Sequence, residues 1–501
     1  MFYQQKKVFT VLVSALLFVI FSQNILAKSL TEKEVERGME LWNIPALAVS
    51  VVTDDKVDFK KGFGKTKIKG GHEITEHTLF GIMSTTKAMV AAGILILVDQ
   101  QKLQLDDLVI KHIPELHFKD NHLSQQITIR DLLAHRTGMP STDLWAFLQK
   151  MPLNEQIRKL STVEASAPTG SRFIYQNTMY ELAGEIIQRV SGKRWDHFLT
   201  DALWLPIGMQ ETYGTRQQIA SHLKHVYPYF MVDDKVKDTA WNFDDDEANA
   251  AGSVWSSIHD MSLWAQFLLN NGKTANGKQL ITPASIAEMF EPQMIVAKSD
   301  FYPTTQLTNP NWTTYGLGWF QQDFQGRKID FHTGSLSGLI AIIGLDRKNN
   351  KAMVVLGNLD HAEVRHALLW HVMDSQTGAD SIDWNQSVFD LYQKQKVDSK
   401  QREKKAKESR QAEKLHALPL QQYAGTYSNE SFGNMQVVLK NDQLILKSGR
   451  LDFSLSHWHY DTFEMKSKTL HFSASLNFNL GSNGKVQRMQ FFGLDFEKAS
   501  D

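Results

Sequence analysis

Hydrophobic positions along the chain change period repeatedly, and each change predicts a change of structure. Thr31 to Trp42 has helical spacing, with Thr31 as a cap and Glu34 placed for a capping box. Ala46 to Val52 is almost unbroken aliphatic sequence and predicts a buried strand. Asp54-Asp55-Lys56 reads as a turn, Val57 to Lys61 alternates like a second strand, and Gly62-Phe63-Gly64 is expected to close the hairpin. From Phe80 to Val98 an apolar run carries no polar stripe, which predicts a helix in the middle of a domain. Helical patterns follow at Ile127–His135, stopped by Arg136-Thr-Gly-Met-Pro140, and then at Thr178–Val190 and Ile258–Asn270. Strand patterns return at Leu317–Phe320, Lys328–Phe331, Leu339–Gly344 and Ala352–Gly357, and a helix from Glu363 to Met373 closes the region. Strands at both ends with helices between them predict a mixed α/β domain. Its antiparallel sheet is assembled from the two chain ends.

Beyond this region the pattern shifts again. Gln393 to Leu415 is nearly all polar, with charges of both signs interspersed, and reads as an exposed helix or linker. Short alternating strands then occupy 423–427, 435–440, 443–447, 451–455, 463–465, 470–474 and 487–492, separated by turns such as Asn441-Asp442 and Ser482-Asn483-Gly484. This predicts a small all-β, barrel-like domain. The expected division is 1–27 as a targeting segment, 28–392 as the α/β domain, 393–416 as a charged linker and 417–501 as the barrel.

Composition narrows the function. The 501 residues are 42% hydrophobic and 22% charged, as in ordinary globular chains, and the net charge of −1 gives no support to nucleic-acid or anionic-membrane binding. The absence of cysteine excludes disulfides, thiol catalysis and cysteine-ligated metals. Lys6 and Lys7 precede an apolar stretch from Val8 to Phe21, and Ile25-Leu26-Ala27 offers a cleavage site after Ala27. The stretch is short for a membrane span and suits a secretory signal peptide, with an uncleaved anchor as the alternative. An exported protein, periplasmic or secreted, is the expectation.

Candidate chemistry starts at Ser84-Thr-Thr-Lys87, at the head of the buried helix. Three residues is close to one turn, so serine and lysine share a face, and a lysine in apolar surroundings has a lowered pKa and can act as a base. The pattern alone is weak. It recurs at Ser221/Lys224 and Ser482/Lys485, and a helix cap with a snorkelling lysine would explain it equally well. Two further stations follow in order. Tyr175-Gln176-Asn177 could relay a proton, with the tyrosine anionic or sharing its proton with Lys87, and bind a carbonyl. His332-Thr333-Gly334 could anchor a substrate carboxylate from a strand edge. Tyr427-Ser428-Asn429 and Arg136-Thr137-Gly138 mimic these stations out of context.

With Thr78–Lys87, Leu105–Val109, Asp131–Pro140, Phe173–Tyr180 and Tyr315–Trp319, these motifs resemble the serine β-lactamase and penicillin-binding-protein superfamily. The likeness is to the branch of class C β-lactamases and D-alanyl-D-alanine carboxypeptidases, over roughly residues 30 to 375. The resemblance implies a β-lactamase/transpeptidase-like sheet with an all-helical subdomain, and no metal or other cofactor. It implies that Ser84 forms an acyl-enzyme, that Lys87 and Tyr175 move the proton, and that Asn177 orients the substrate amide. The backbone N–H groups of Ser84 and Ser335 would hold the oxyanion. Class C β-lactamases carry lysine where this chain has His332, which directs the expectation to D-amino-acid peptides or related esters. A class C-like β-lactamase and a slow-turnover penicillin-binding or sensing protein are the alternatives. The C-terminal strands resemble the lipocalin-like domain of some such hydrolases, which would shape access to the site, mediate homo-oligomers or simply stabilise the chain.

Overall fold

The computed structural model describes residues 29–238, 248–376, 381–467 and 472–499. The signal-peptide expectation at 1–27 and the acidic run Asp244–Glu247 lie outside the described residues.

In chain order the strands are β1 (Ala46–Val52), β2 (Val57–Gly64), β3 (Leu79–Gly81), β4 (Tyr229–Val232), β5 (Lys235–Asp238), β6 (Trp255–Ser257), β7 (Met294–Ile295), β8 (Thr313–Tyr315), β9 (Phe320–Phe324), β10 (Arg327–Leu336), β11 (Leu339–Asp346) and β12 (Lys351–Gly357). The longer helices are α1 (Glu32–Trp42), α2 (Thr86–Asp99), α3 (Asn177–Ser191), α4 (Ile258–Leu269), α5 (Val364–Met373) and α6 (Trp384–Glu408). Eight strands form one antiparallel sheet in the order β2-β1-β12-β11-β10-β9-β8-β7. The two ends of the domain meet where β1 pairs β12, with Val49 opposite Val355.

β1 and β11 are buried along their whole length, which explains why they lack an alternating pattern. Ala46, Ala48, Ala341 and Ile343 point into a core shared with the helical body. Leu47, Val49, Ile340 and Ile342 point the other way, into a core shared with α5 and the first turns of α6. Ser50, on the inner face, is satisfied by the hydroxyl of Ser262 on α4, 2.7 Å away. Twelve of the fourteen residues of α2 are buried, so its missing polar stripe reflects helices and sheet on every side. Gly93 marks its closest crossing. A Cβ there would lie 2.7 Å from Leu199 Cδ2 and 3.1 Å from Ile187 Cδ1.

Beyond α6 the strands β13 (Gly425–Asn429), β14 (Gly433–Lys440), β15 (Gln443–Ser448), β16 (Leu451–His459), β17 (Thr462–Ser467), β18 (Phe472–Leu480), β19 (Val486–Phe491) and β20 (Leu494–Lys498) close into an antiparallel barrel. Its interior is filled by side chains including Tyr423, Tyr427, Phe463, Met465, Phe478 and Met489. The turn between β15 and β16 touches the α/β domain, where Arg450 N–H donates to the Leu148 carbonyl at 2.9 Å.

Several expectations need correction. Gly62-Phe63-Gly64 continues β2 and pairs with β1, so the hairpin is closed by the turn from Thr53 to Lys56, where the Thr53 N–H donates to the Lys56 carbonyl at 2.9 Å. Leu317–Trp319 is a turn rather than a strand, because Gly318 takes a left-handed conformation (φ +86°) that lets the chain approach the backbone of Ala88. The polar segment 393–408 belongs to a helix that begins earlier, at Trp384, where Trp384 and Val388 are buried. Strand β20 (Leu494-Asp-Phe-Glu-Lys498) alternates apolar and polar residues but is absent from the expected strands. It follows β19 through a two-residue turn and closes the barrel by pairing with Tyr427 and Ser428.

Gly93→Val is expected to lower the unfolding free energy by about 1–3 kcal/mol through overpacking at the α2 crossing, read from the midpoint of a urea titration. A variant as stable as the parent would contradict the close crossing.

Candidate active site

Strand β3 ends at Gly81, and the chain must turn sharply to enter α2. Met83 takes that turn with φ +48°, an uncommon conformation for a residue with a side chain. Ser84 follows, inside a single 3₁₀ turn (Met83–Thr85) that runs into α2. The nucleophile candidate therefore stands where N–H groups lack intrahelical partners and the helix dipole favours negative charge.

One turn along, the Lys87 amine donates to Ser84 Oγ at 3.0 Å, to Asn177 Oδ1 at 2.7 Å and to the Ala251 carbonyl at 2.8 Å. Its side chain is 0% exposed. Burial lowers its pKa to about 7, against the opposing pull of Asp143 and Glu181. A lysine with that pKa is neutral in roughly half the molecules at neutral pH.

Asn177 is the first residue of α3. Its backbone N–H donates to Asp143 Oδ1 at 3.1 Å and its amide nitrogen to Asp143 Oδ2 at 2.9 Å. Asp143 thus caps α3 and fixes the Asn177 amide, turning its oxygen toward Lys87. Asn177 was expected to orient the substrate amide. Here its oxygen is engaged by Lys87, and its first bonded role is to hold the amine.

Tyr175 packs among rings: His135 at 4.3 Å, and Phe320 and His332 each at 6.3 Å between centroids. Burial raises its pKa well above the ordinary phenol value, against the opposing pull of Ser84. The anionic form considered from sequence is therefore disfavoured by desolvation, and the hydroxyl is a neutral partner of Ser84. The Lys87 amine lies 4.9 Å from the ring centroid of Tyr175.

His332 departs further from expectation. It is 1% exposed, its Nε2 lies 3.0 Å from the Tyr315 hydroxyl and its Nδ1 lies 2.7 Å from the Thr333 carbonyl. The carbonyl can only accept, so Nδ1 carries the proton and Nε2 accepts from Tyr315. Burial lowers its pKa to about 3, and the ring is neutral with both nitrogens occupied. A cationic anchor for a substrate carboxylate is thereby corrected: His332 is a buried bracket for the strand. The Thr333 hydroxyl is likewise paired, 2.6 Å from the Tyr302 hydroxyl.

Gly334 is required by space. A Cβ there would lie 2.4 Å from the Ile82 carbonyl oxygen, 2.7 Å from Met83 Cβ and 3.0 Å from the Ser84 nitrogen. The strand lies against the nucleophile turn because this residue has no side chain. Ser337 and Gly338, at φ +57° and +86°, make the two-residue turn between β10 and β11. Leu336 and Leu339 flank that turn as the hydrogen-bonded pair, so Ser335 opposite Ile340 is a non-hydrogen-bonded one. The Ser335 N–H therefore points away from β11. Strand β9 pairs with β10 only as far as Phe331, which leaves that edge open beside Ser84.

All eight residues singled out from sequence, Ser84, Lys87, Tyr175, Asn177 and His332 to Ser335, meet at this place. The look-alikes do not. Tyr427 fills the barrel with its hydroxyl on the Tyr423 carbonyl at 2.7 Å, and Ser482 and Lys485 sit in the β18–β19 connection. Sequence reading missed Asp143 and Ala251. Asp143 sits in a Ser-Thr-Asp segment that reads as an ordinary loop, and Ala251 contributes only a backbone oxygen. Among the described residues no group of three or more histidine, cysteine or acidic side chains is arranged to hold a metal ion. A serine hydroxyl beside a half-neutral amine, with backbone donors converging from two elements, is suited to acyl transfer.

The beta-lactamase family model matches residues 31–377, and a model described as a domain of unknown function matches residues 409–500. An unguisins hydrolase from Aspergillus campestris is 25% identical over 451 residues, covering 83% of this chain and 79% of that protein. Protein flp from Staphylococcus aureus is 29% identical over 337 residues, covering 65% of this chain and 62% of that protein. Among solved structures, an octameric penicillin-binding protein homologue from Pyrococcus abyssi shares the fold with a TM-score of 0.60 at 20% identity, over 93% of this chain and 99% of that one. A D-amino acid amidase from Ochrobactrum anthropi aligns with a TM-score of 0.56 at 21% identity, over 69% of this chain and 98% of that one. With a family match over well more than half of its length and a nucleophile geometry to go with it, the chain belongs to the beta-lactamase family of serine hydrolases.

Proposed function

We propose that the protein is an exported hydrolase that opens amide or ester bonds through an acyl-enzyme on Ser84, acting on D-amino-acid-containing peptides or related esters. The observation that carries this reading is the buried Lys87 amine, 3.0 Å from Ser84 Oγ with its pKa lowered to about 7. In its neutral form the amine accepts the serine proton as Oγ attacks the carbonyl. Asn177 and the Ala251 carbonyl hold the nitrogen in place while it does so. The neutral Tyr175 hydroxyl carries a proton onward to the leaving group and later assists the water that releases the acyl group. The N–H groups of Ser84 and Ser335 receive the oxyanion.

The neutral His332 supports substrates other than classical β-lactams. With its ring nitrogens occupied, it offers no positive charge to a substrate carboxylate. The name of one structural neighbour, a D-amino acid amidase, is in keeping with the substrate class. Export is supported by the apolar segment after Lys6 and Lys7 and by the small residue at Ala27. Cell fractionation with N-terminal sequencing tests it, and a cytoplasmic protein retaining residues 1–27 would count against it.

Ser84→Ala is expected to reduce hydrolysis of p-nitrophenyl esters and D-amino-acid amides by about 10³-fold or more, measured as kcat/KM. Near-parental turnover would remove Ser84 from the mechanism. A fluorescent penicillin separates the alternatives: a permanent adduct indicates a sensor and rapid release a β-lactamase.

The pH profile tests Lys87. Only the neutral amine is a base, so kcat/KM should fall about tenfold per unit as pH drops below about 7 and level off above it. A flat profile between about pH 5 and 8 would exclude Lys87 as the titrating base. Gly334→Val, which puts a side chain against the Ile82 carbonyl and the Ser84 nitrogen, should slow acylation by about 10²-fold. An unchanged acylation rate would argue that β10 does not approach the nucleophile this closely.

A further inference from the structure

Gly334 is pressed on both sides. Its inner side meets Met83 and Ser84, and from α5 on the outer face Arg365 donates through Nη1 to the Gly334 carbonyl and, at 3.3 Å, to the Ala341 carbonyl. The other edge of the guanidinium is held by Glu363, with Nε to Oε2 at 3.0 Å and Nη2 to Oε1 at 2.9 Å. His366 Nδ1 stands 2.7 Å from the same carboxylate. Arg365 and Glu363 are both buried in the apolar core between sheet and helices. Burial alone would raise the Glu363 carboxyl; Arg365 and His366 instead hold it well below the usual range.

A buried ion pair is costly to desolvate, and an apolar pair would often fill such a place as well. Nor is Arg365 needed to satisfy the strand. Gly334 and Ala341 form a hydrogen-bonded pair by the same alternation that turns Ser335 outward, so the Gly334 carbonyl already has the Ala341 N–H. Arg365 is its second donor. That carbonyl and the Ser335 N–H belong to one peptide unit, and donation to the oxygen of an amide makes its N–H a stronger donor.

We propose that Arg365 is a positioning residue for the oxyanion hole, polarising the Gly334–Ser335 peptide from behind the sheet so that the Ser335 N–H binds developing negative charge more strongly. Arg365 acts on the reacting oxygen only through this peptide. The proposal rests on Ser84 being the nucleophile.

The test uses the full chain with Arg365 and Glu363 replaced together, R365M/E363Q, so that no buried carboxylate is left unpaired, and R365K as a milder variant that keeps a cation for Glu363. Acylation by p-nitrophenyl acetate is followed as a pre-steady-state burst. The acyl-serine formed from carbonyl-¹³C-labelled ester is observed by infrared difference spectroscopy. In R365M/E363Q the burst should slow by about 10-fold with KM within about twofold of the parent. The ester carbonyl stretch should move to higher wavenumber, as a weaker hydrogen bond requires. R365K should fall between parent and double variant, and it carries the test alone if the double variant does not fold. A parental stretch and burst rate in the folded variants would overturn the proposal. Peptide mapping that finds the acyl group on a residue other than Ser84 would overturn the reading beneath it, and is distinguished by appearing in the parent protein as well.

Discussion

The site depends on taking one amine out of water. Lys87 could keep a full charge only if solvent or a close carboxylate supported it, yet it is fully buried and none of its hydrogen-bond partners among the described residues is a carboxylate. Its three acceptors are a hydroxyl, an amide oxygen and a backbone carbonyl, each neutral. Asp143 stands one step away, behind Asn177. This arrangement offsets enough of the desolvation penalty to let the lysine be buried. It does not offset enough to keep the lysine protonated at neutral pH. The helix α2, apolar on all sides, and the ring cluster around Tyr175 are what make the desolvation complete.

The second requirement is close approach. Two pieces of backbone, the Ile82–Ser84 turn and β10, must lie closer together than side chains permit, and Gly334 answers this with an absent Cβ. The left-handed Met83 answers it from the other side by turning the chain within a single residue. Strain at Met83 is sustained because β3, β6 and the buried start of α2 determine the path on either side.

Much of this was legible in the sequence, for identifiable reasons. Ser84 and Lys87 are local, one helical turn apart, and the uninterrupted apolar run behind them announces burial. The central strands β1, β11 and β12 announce themselves by β-branched content, because both faces are covered. What stayed hidden depends on long-range geometry or on backbone atoms. Nothing in Ser141-Thr142-Asp143 shows that its carboxylate will cap a helix that begins 34 positions later, as its bond to Asn177 records. The state of His332 was open because a histidine on a strand edge can be cation, donor or acceptor, and only the Tyr315 hydroxyl and the depth of burial decide it. Strand β20 was legible in the alternation of Leu494-Asp-Phe-Glu497 and is absent from the expected strands because it is short and follows β19 through a two-residue turn.

The pairing of β1 with β12 has a consequence for how the molecule comes into being. Val49 and Val355 are neighbours in the sheet but are separated by nearly the whole hydrolase domain in sequence. Such contacts are slow to form, because the loop between them must close before it is stabilised. The nucleophile turn is held near the early part of the chain, while Gly334 and the open edge of β10 come late. A chain emerging from synthesis thus carries Ser84 long before it carries the strand that completes the site. Hydrolytic competence is acquired in one late step, when the last strands of the sheet meet the first.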